Sequence, residues 1–403
     1  MKNRIVFFIC FCCFFLSISS TGGNIVKRYN NTKLVTRKFC RHLDFEINRG
    51  VIILHDVQIA GSSKRYNFIL DTGSSYTLVS KEVALEIGFM AESSTVITDG
   101  FESKSIELGL MDFKVGEIEF SHVGVGIIDN SPIEKLCNID GYIGYNLMKS
   151  CIWKLGLGEI IISDDIKNIE DLGDYHAQKL NEGPTVVAGF SNGFNSTMLF
   201  DLGDNGAVEI HESRISLIKE KEMVTGTGKL YSTGLGDGNQ TEESIHKLLK
   251  VPSFTLGNGR VESMIVYTDD SPLLPIEVIG AEILNYFNIV LDFPGKKFYS
   301  LNISEEYGDR NFMTHGFKYE IVGGSIYVSF VWDGSSAYKS GIRVGQEISM
   351  VNGISTSELC LLERCKAHEW MWSALGNDSI TLTLAGSDNV VVLSKAPLFK
   401  GEN

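Results

Sequence analysis

The chain has 403 residues, 43% of them hydrophobic, with 41 glycines, 7 prolines and a net charge of −14. That length accommodates two to four domains, and the glycine content suits a turn-rich β fold. The acidic balance, with no basic stripe, excludes nucleic acid as an expected partner, and the few prolines exclude a long proline-rich linker.

Residues 1–20 form their own unit: Lys2 and Arg4, an apolar run from Ile5 to Leu16, then Ser17-Ile-Ser19 as a small-x-small cleavage site. This pattern predicts a secretory signal peptide, hence an exported protein, periplasmic or secreted. An uncleaved membrane anchor is the alternative, although the run is short for a span of about 20 residues. Residues 21–45 are set apart as an N-terminal segment. Once the signal has left, Cys40, Cys137, Cys151, Cys360 and Cys365 remain. The odd count leaves at least one unpaired within the chain. They are read as buried small hydrophobes ahead of disulfides, and Cys360 could pair with Cys365 only if that segment is not a regular helix. No Cys-x-x-Cys or Cys/His spacing occurs, so neither a metal nor a cofactor is expected.

From Gly50 to Leu301 short alternating apolar runs are broken by Gly, Asn and Asp, which predicts strands and turns, with short helices such as Lys81 to Ile87. Two copies of one plan are visible. In the first, an apolar strand ends in Asp71-Thr-Gly-Ser-Ser75, followed by a Val115-Gly116 turn, Ile139-Asp-Gly-Tyr-Ile-Gly144, Tyr145-Asn-Leu-Met148 and a strand over 152–162. In the second, Met198-Leu-Phe200 runs into Asp201-Leu-Gly-Asp-Asn205, followed by Leu256-Gly257, Val278-Ile-Gly280, Ala281-Glu-Ile-Leu284 and a strand over 289–301. Asp71 to Gly144 is 73 residues and Asp201 to Gly280 is 79. A duplication of this kind suits two pseudo-twofold lobes. These are predicted over 46–165 and 190–303, joined by the polar stretch 164–193. A second boundary is expected at 304–311.

Two carboxyl groups about 3 Å apart cannot both ionise, so they share a proton and can activate a water for peptide hydrolysis. Two equivalent turns meeting at a twofold axis would bring Asp71 and Asp201 face to face. Phe68-Ile-Leu-Asp-Thr-Gly-Ser-Ser75 resembles the active-site motif of the pepsin and retropepsin superfamily. Tyr142-Ile-Gly144 and Val278-Ile-Gly280 are similar to its downstream elements, and the resemblance covers about 250 residues. It implies an aspartic endopeptidase with Asp71 and Asp201 as the catalytic pair, and Asp71 as general base. It also implies Thr72 as the hydroxyl joining the loops, Gly73 and Gly203 as the tight-turn glycines, and Ser74 as the hydroxyl orienting the carboxylate. The second loop departs from the family pattern. Leu202 stands where Thr or Ser is expected and cannot make the reciprocal bond, and Asp204 brings a further charge unless it points into solvent. A catalytically degenerate peptide-binding protein is therefore the alternative. Thr95 to Lys104 and Val224 to Gly238 are candidate flaps, with ordinary turns as the other reading. A peptide or unfolded protein is the implied substrate, and a monomer is expected.

Residues 312–397 change character: Gly316-Phe317, a strand over 326–331, Gly334-Ser-Ser-Ala337, then Gly341-Ile-Arg-Val-Gly-Gln-Glu-Ile348 and Val351-Asn-Gly353. A helix over 358–375 and closing strands at 380–384 and 390–393 follow. The segment resembles a PDZ domain, with Gln346 in place of the Asp often found after that Gly. The resemblance implies a small α+β domain that binds an extended peptide by strand addition, with Gly316 and Phe317 at a backbone nest for a peptide carboxylate. A groove filled by the protein itself is the competing reading. Trp370 and Trp372 are read as core or interface residues.

Overall fold

The computed structural model describes residues 27–98, 103–128, 136–181, 183–229, 244–270, 276–303 and 312–399. The predicted signal peptide and the boundary at 304–311 lie outside the described residues, as do parts of both candidate flaps. The fold is mainly β.

The first half contains β1 (Phe45–Asn48), β2 (Val51–Ile59), β3 (Tyr66–Asp71), β4 (Thr77–Ser80), α1 (Lys81–Glu86), β5 (Ser93–Thr98), β6 (Ser103–Val115), β7 (Ile118–Ile128), β8 (Gly141–Gly144), α2 (Tyr145–Met148), β9 (Ile152–Leu155) and β10 (Ile160–Ser163). Alternation sets the faces of β3. Phe68 and Leu70 point into the main core. Ile69 packs in a second cluster with Val51, Ile53, Tyr76 and Leu108 on the face that also carries Asp71. α1 begins where it does because Ser80 Oγ accepts from the Val83 N–H, an N-cap.

The second half repeats this build with β11 (Thr185–Phe190), β12 (Asn195–Asp201), β13 (Val208–His211), β14 (Glu222–Gly228), β15 (Ser244–Leu256), β16 (Gly259–Asp269), β17 (Val278–Gly280), β18 (Phe287–Asp292) and β19 (Lys297–Asn302). The register itself is duplicated. β8 runs parallel to β3 with Gly144 opposite Asp71, and β17 runs parallel to β12 with Gly280 opposite Asp201. Both glycines are required by close packing: a Cβ at Gly144 would meet Tyr76 O at 2.1 Å, and one at Gly280 would meet Gly206 O at 2.3 Å. The turns at Gly116 and Gly257 both have left-handed φ, 56° and 63°. β9 pairs antiparallel with β18 in a six-stranded sheet to which both halves contribute strands.

The C-terminal unit comprises β20 (Phe317–Val322), β21 (Ser325–Trp332), α3 (Ser336–Lys339), β22 (Glu347–Val351), α4 (Arg364–Gly376), β23 (Ser379–Leu384) and β24 (Val390–Ser394). It has its own core around Ile326, Val328, Ile348 and Leu382. β21 also pairs with β14, Thr227 opposite Val331, so the sheet of the second half continues into this unit. Phe330, Trp332 and Phe399 then pack with Leu248 and Ile265 of the second half.

Several expectations need correction. The strands predicted over 152–162 and 289–301 are each a hairpin of two strands. The stretch 164–193 is no mere linker: His176–Lys179 pairs with β19, and β11 belongs to the second half. The N-terminal segment is built in too, since Cys40–His42 pairs with β10 and Tyr29 is buried. The helix over 358–375 is interrupted, with one turn at Thr356–Leu359 before α4. Cys137 and Cys365 are not separate small hydrophobes; they form a disulfide across 228 residues of sequence. Cys151 is buried as expected, and Cys40 and Cys360 are free and half-buried. Trp370 packs against the unit's core, whereas Trp372 is 53% exposed.

Candidate active site

Asp71 and Asp201 end β3 and β12, and the duplicated register brings the two turns together. Each loop glycine lies against the opposite carboxylate. A Cβ on Gly73 would sit 2.1 Å from Asp201 Oδ2, and one on Gly203 would sit 2.7 Å from the Asp71 carboxyl carbon. Gly73, two residues after Asp71, also donates its N–H to Asp201 Oδ1 at 3.1 Å, so the two loops meet at the carboxyls.

The donors around them are unequal. Asp201 Oδ1 accepts from Gly203 N–H at 2.8 Å and from Gly73 N–H at 3.1 Å. Asp71 Oδ1 accepts from Ser74 N–H at 2.8 Å. Burial first, then the charge of Asp201, holds the Asp71 carboxyl well above the usual carboxylate range. Burial raises Asp201 as well, but the N–H groups of both loops oppose it. Burial thus raises both carboxyls, and as a pair they can share one proton.

Thr72, 1% exposed, joins the loops. Its Oγ1 donates to Phe200 O at 2.5 Å and accepts from Leu202 N–H at 3.0 Å. Leu202 is fully buried and returns no such bond. The Ser74 hydroxyl, expected on the carboxylate, donates instead to Tyr76 O at 2.8 Å, and only the Ser74 backbone serves Asp71. Asp204 neither faces the pair nor crowds it. Its Oδ1 accepts from Gly206 N–H at 2.6 Å within its own loop, an Asx turn. The loops are anchored alike on the following turns, Tyr145 N–H donating to Ser74 O and Ala281 N–H to Asp204 O, each at 2.7 Å.

Three residues near the pair escaped the sequence reading. Tyr142 lies opposite Ile69 across the β8–β3 pairing. Burial, then the charge of Asp71, pushes its phenol above the ordinary range. Asn146, fully buried, accepts from Thr77 N–H and donates to Gly124 O. Its position in Tyr145-Asn-Leu-Met148 was visible, but nothing local signals burial of an amide. Asn205 donates to Arg49 O from the opposite half. Among the described residues, no group of three His, Cys, Asp or Glu side chains could hold a metal ion.

Gly316 and Phe317 are far in sequence from the pair and open β20. Gly316 has φ 94°, and its N–H donates to Thr314 Oγ1 at 3.0 Å instead of lying open for a carboxylate. Among the described residues β20 pairs only with β21, which leaves one edge without a strand. Tyr319 OH, however, reaches from β20 to His368 Nδ1 on α4 at 3.1 Å.

An aspartyl protease family model matches residues 55–147, the segment that carries Asp71, Thr72, Gly73 and Gly144. Among solved structures, the aspartic proteinase from Irpex lacteus is similar at 13% identity and a TM-score of 0.47, with 68% of this chain and all of that one covered. Basic 7S globulin from soybean is similar at 10% identity and a TM-score of 0.41, over 66% of this chain and 95% of that one. No curated protein matches.

Proposed function

We propose that the chain is an exported two-lobed aspartic endopeptidase carrying a PDZ-like C-terminal domain. The observation that carries this reading is the meeting of Asp71 and Asp201 across two turns of the same register, with each loop glycine against the opposite carboxylate. In the proposed reaction Asp201, ionised, takes a proton from a water whose oxygen adds to the scissile carbonyl carbon. Asp71 gives its proton to the carbonyl oxygen, forming a neutral gem-diol. Asp201 then passes its proton to the amide nitrogen, the C–N bond breaks as Asp71 takes a proton from a gem-diol hydroxyl to leave the carboxylic acid, and the pair again holds one proton. Thr72 fixes the spacing, and the glycines let the backbone N–H groups approach.

The disulfide between Cys137 and Cys365 supports an oxidising, exported setting. The free edge of β20 supports strand addition by an extended peptide, while the Tyr319–His368 contact would have to yield to it. Leu202 favours one second reading, a peptide-binding protein whose pair no longer works. Incubating the mature protein with a denatured protein mixture across acid and neutral pH decides between them. Cleavage by wild type that is lost in both Asp71→Asn and Asp201→Asn is the expected result. Peptide capture without cleavage would sink the enzyme reading.

A further inference from the structure

The second Asp loop lacks the hydroxyl that would stiffen it from within, yet it is held from outside. The turn between β1 and β2 meets it directly: Asn205, four residues after Asp201, donates from Nδ2 to Arg49 O at 3.2 Å. Gly50 comes so close that a Cβ there would lie 2.9 Å from both Asn205 Cβ and Asn205 O. Both turn residues have left-handed φ, 52° for Arg49 and 83° for Gly50. Asn48 pairs with Val51, so Arg49-Gly50 is a two-residue hairpin turn of the kind that takes positive φ at both positions, and this conformation presents Arg49 O to Asn205.

The Arg49 side chain leaves this turn toward the C-terminal unit. The half-buried Arg49 side chain places its guanidinium carbon 5.9 Å from the Trp372 ring on α4, within cation–π range. Burial lowers its pKa, and the neighbouring Tyr319 of β20 and Glu369 of α4 act against that. α4 is in turn fastened to the first half through Cys365–Cys137. A continuous path of contacts therefore runs from the disulfide through α4 and Arg49 to Asn205.

We propose that Arg49 is a positioning residue: seated between β20 and α4, it presses the Arg49-Gly50 turn onto Asn205 and so holds the second Asp loop in place of the hydroxyl missing at Leu202. The C-terminal unit then acts on the site as a brace, apart from any peptide it binds. The kinetic arm of the test rests on Asp71 and Asp201 being a working pair; the exchange arm does not.

The test uses the full mature chain as wild type, Arg49→Ala, and Arg49→Ala with Leu202→Thr, which restores a hydroxyl facing the first loop. Amide hydrogen exchange is read over residues 199–208, with 66–76 as the internal control. Peptide cleavage is measured alongside. Arg49→Ala should speed exchange in 199–208 only and lower kcat about tenfold with KM within about twofold. Leu202→Thr should reverse both effects, which a merely structural role for Arg49 would not allow. If Arg49→Ala does not fold, Trp372→Ala at the exposed end of the same contact takes its place with the same expected exchange change. Unchanged exchange in 199–208, or no reversal by Leu202→Thr, overturns the proposal. Altered and restored exchange in a chain that never cleaves supports the brace and removes the peptidase reading.

Discussion

In the first Asp loop a buried hydroxyl, Thr72 Oγ1, reaches across to both Phe200 O and Leu202 N–H. In the second loop Leu202 fills the equivalent position with a fully buried side chain that can bond nothing. The backbone register around the two is nonetheless the same, with Gly144 opposite Asp71 and Gly280 opposite Asp201. Duplicated geometry can thus survive the loss of half its polar cross-link when apolar packing fills the space. The cost falls on specific positioning, because a hydrogen bond fixes direction and a leucine does not. The carboxyls inherit the asymmetry: Asp201 Oδ1 takes N–H groups from both loops, and Asp71 Oδ1 takes Ser74 N–H.

The comparison can be broken most severely at the carboxyls. Asp71→Asn and Asp201→Asn should each lower kcat/KM by about a thousandfold or more, as removal of one member of a catalytic unit does. Retained activity in either would mean the loops are not equivalent in function. Thr72→Val comes next. It deletes the remaining hydroxyl bridge and leaves Phe200 O and Leu202 N–H buried without partners, at a cost of about 1–3 kcal/mol each. Equilibrium unfolding and kcat should both fall, whereas Thr72→Ser should keep most of each.

Removing the Cys137–Cys365 bond by paired serine substitution should destabilise the chain by roughly 2–4 kcal/mol. Differential scanning calorimetry checks the loss. Leu202→Thr alone should make the loops more alike but gain only about 1 kcal/mol from a buried hydrogen bond, less than the roughly 2 kcal/mol lost with the packed leucine, so a small net destabilisation is expected.

The smallest expected effect is a pH dependence. Asp71 is raised in the folded chain. Its contribution to folding is fully present below the ordinary carboxylate pKa of about 3.9 and is lost as pH rises through the raised folded value. Asp71→Asn removes that loss, so the variant should melt above wild type near neutrality. The gap should close as the solution is acidified, and thermal melts at several pH values measure it.

The first loop was legible from local sequence because strand, turn and anchoring glycine lie within one motif, Phe68 to Ser75. The second was legible only through the repeat, since Asp201-Leu-Gly-Asp carries half the local pattern. What the sequence hid was non-local. Cys137 and Cys365 are 228 residues apart, and no spacing rule pairs them. The continuation of β14 into β21 joins a segment read as a flap or turn to a predicted strand, and edge pairing has no sequence signature. Leu361-Leu-Glu363 reads as helix by propensity, yet the chain breaks there before α4. Ser74 was given the carboxylate by resemblance, while its hydroxyl found Tyr76 O at 2.8 Å. Nothing in the local sequence singles out Arg49, and only its place between Asn205 and Trp372 distinguishes it.

The most direct test of the shared proton is the pH dependence of kcat/KM for cleavage of a single peptide by wild type. One ionised and one protonated carboxyl in the same pair predict a bell with two limbs, rising as the pair loses its first proton and falling as it loses its second. A profile with only one limb, or one that stays flat through the acid range, would contradict a catalytic pair holding one proton.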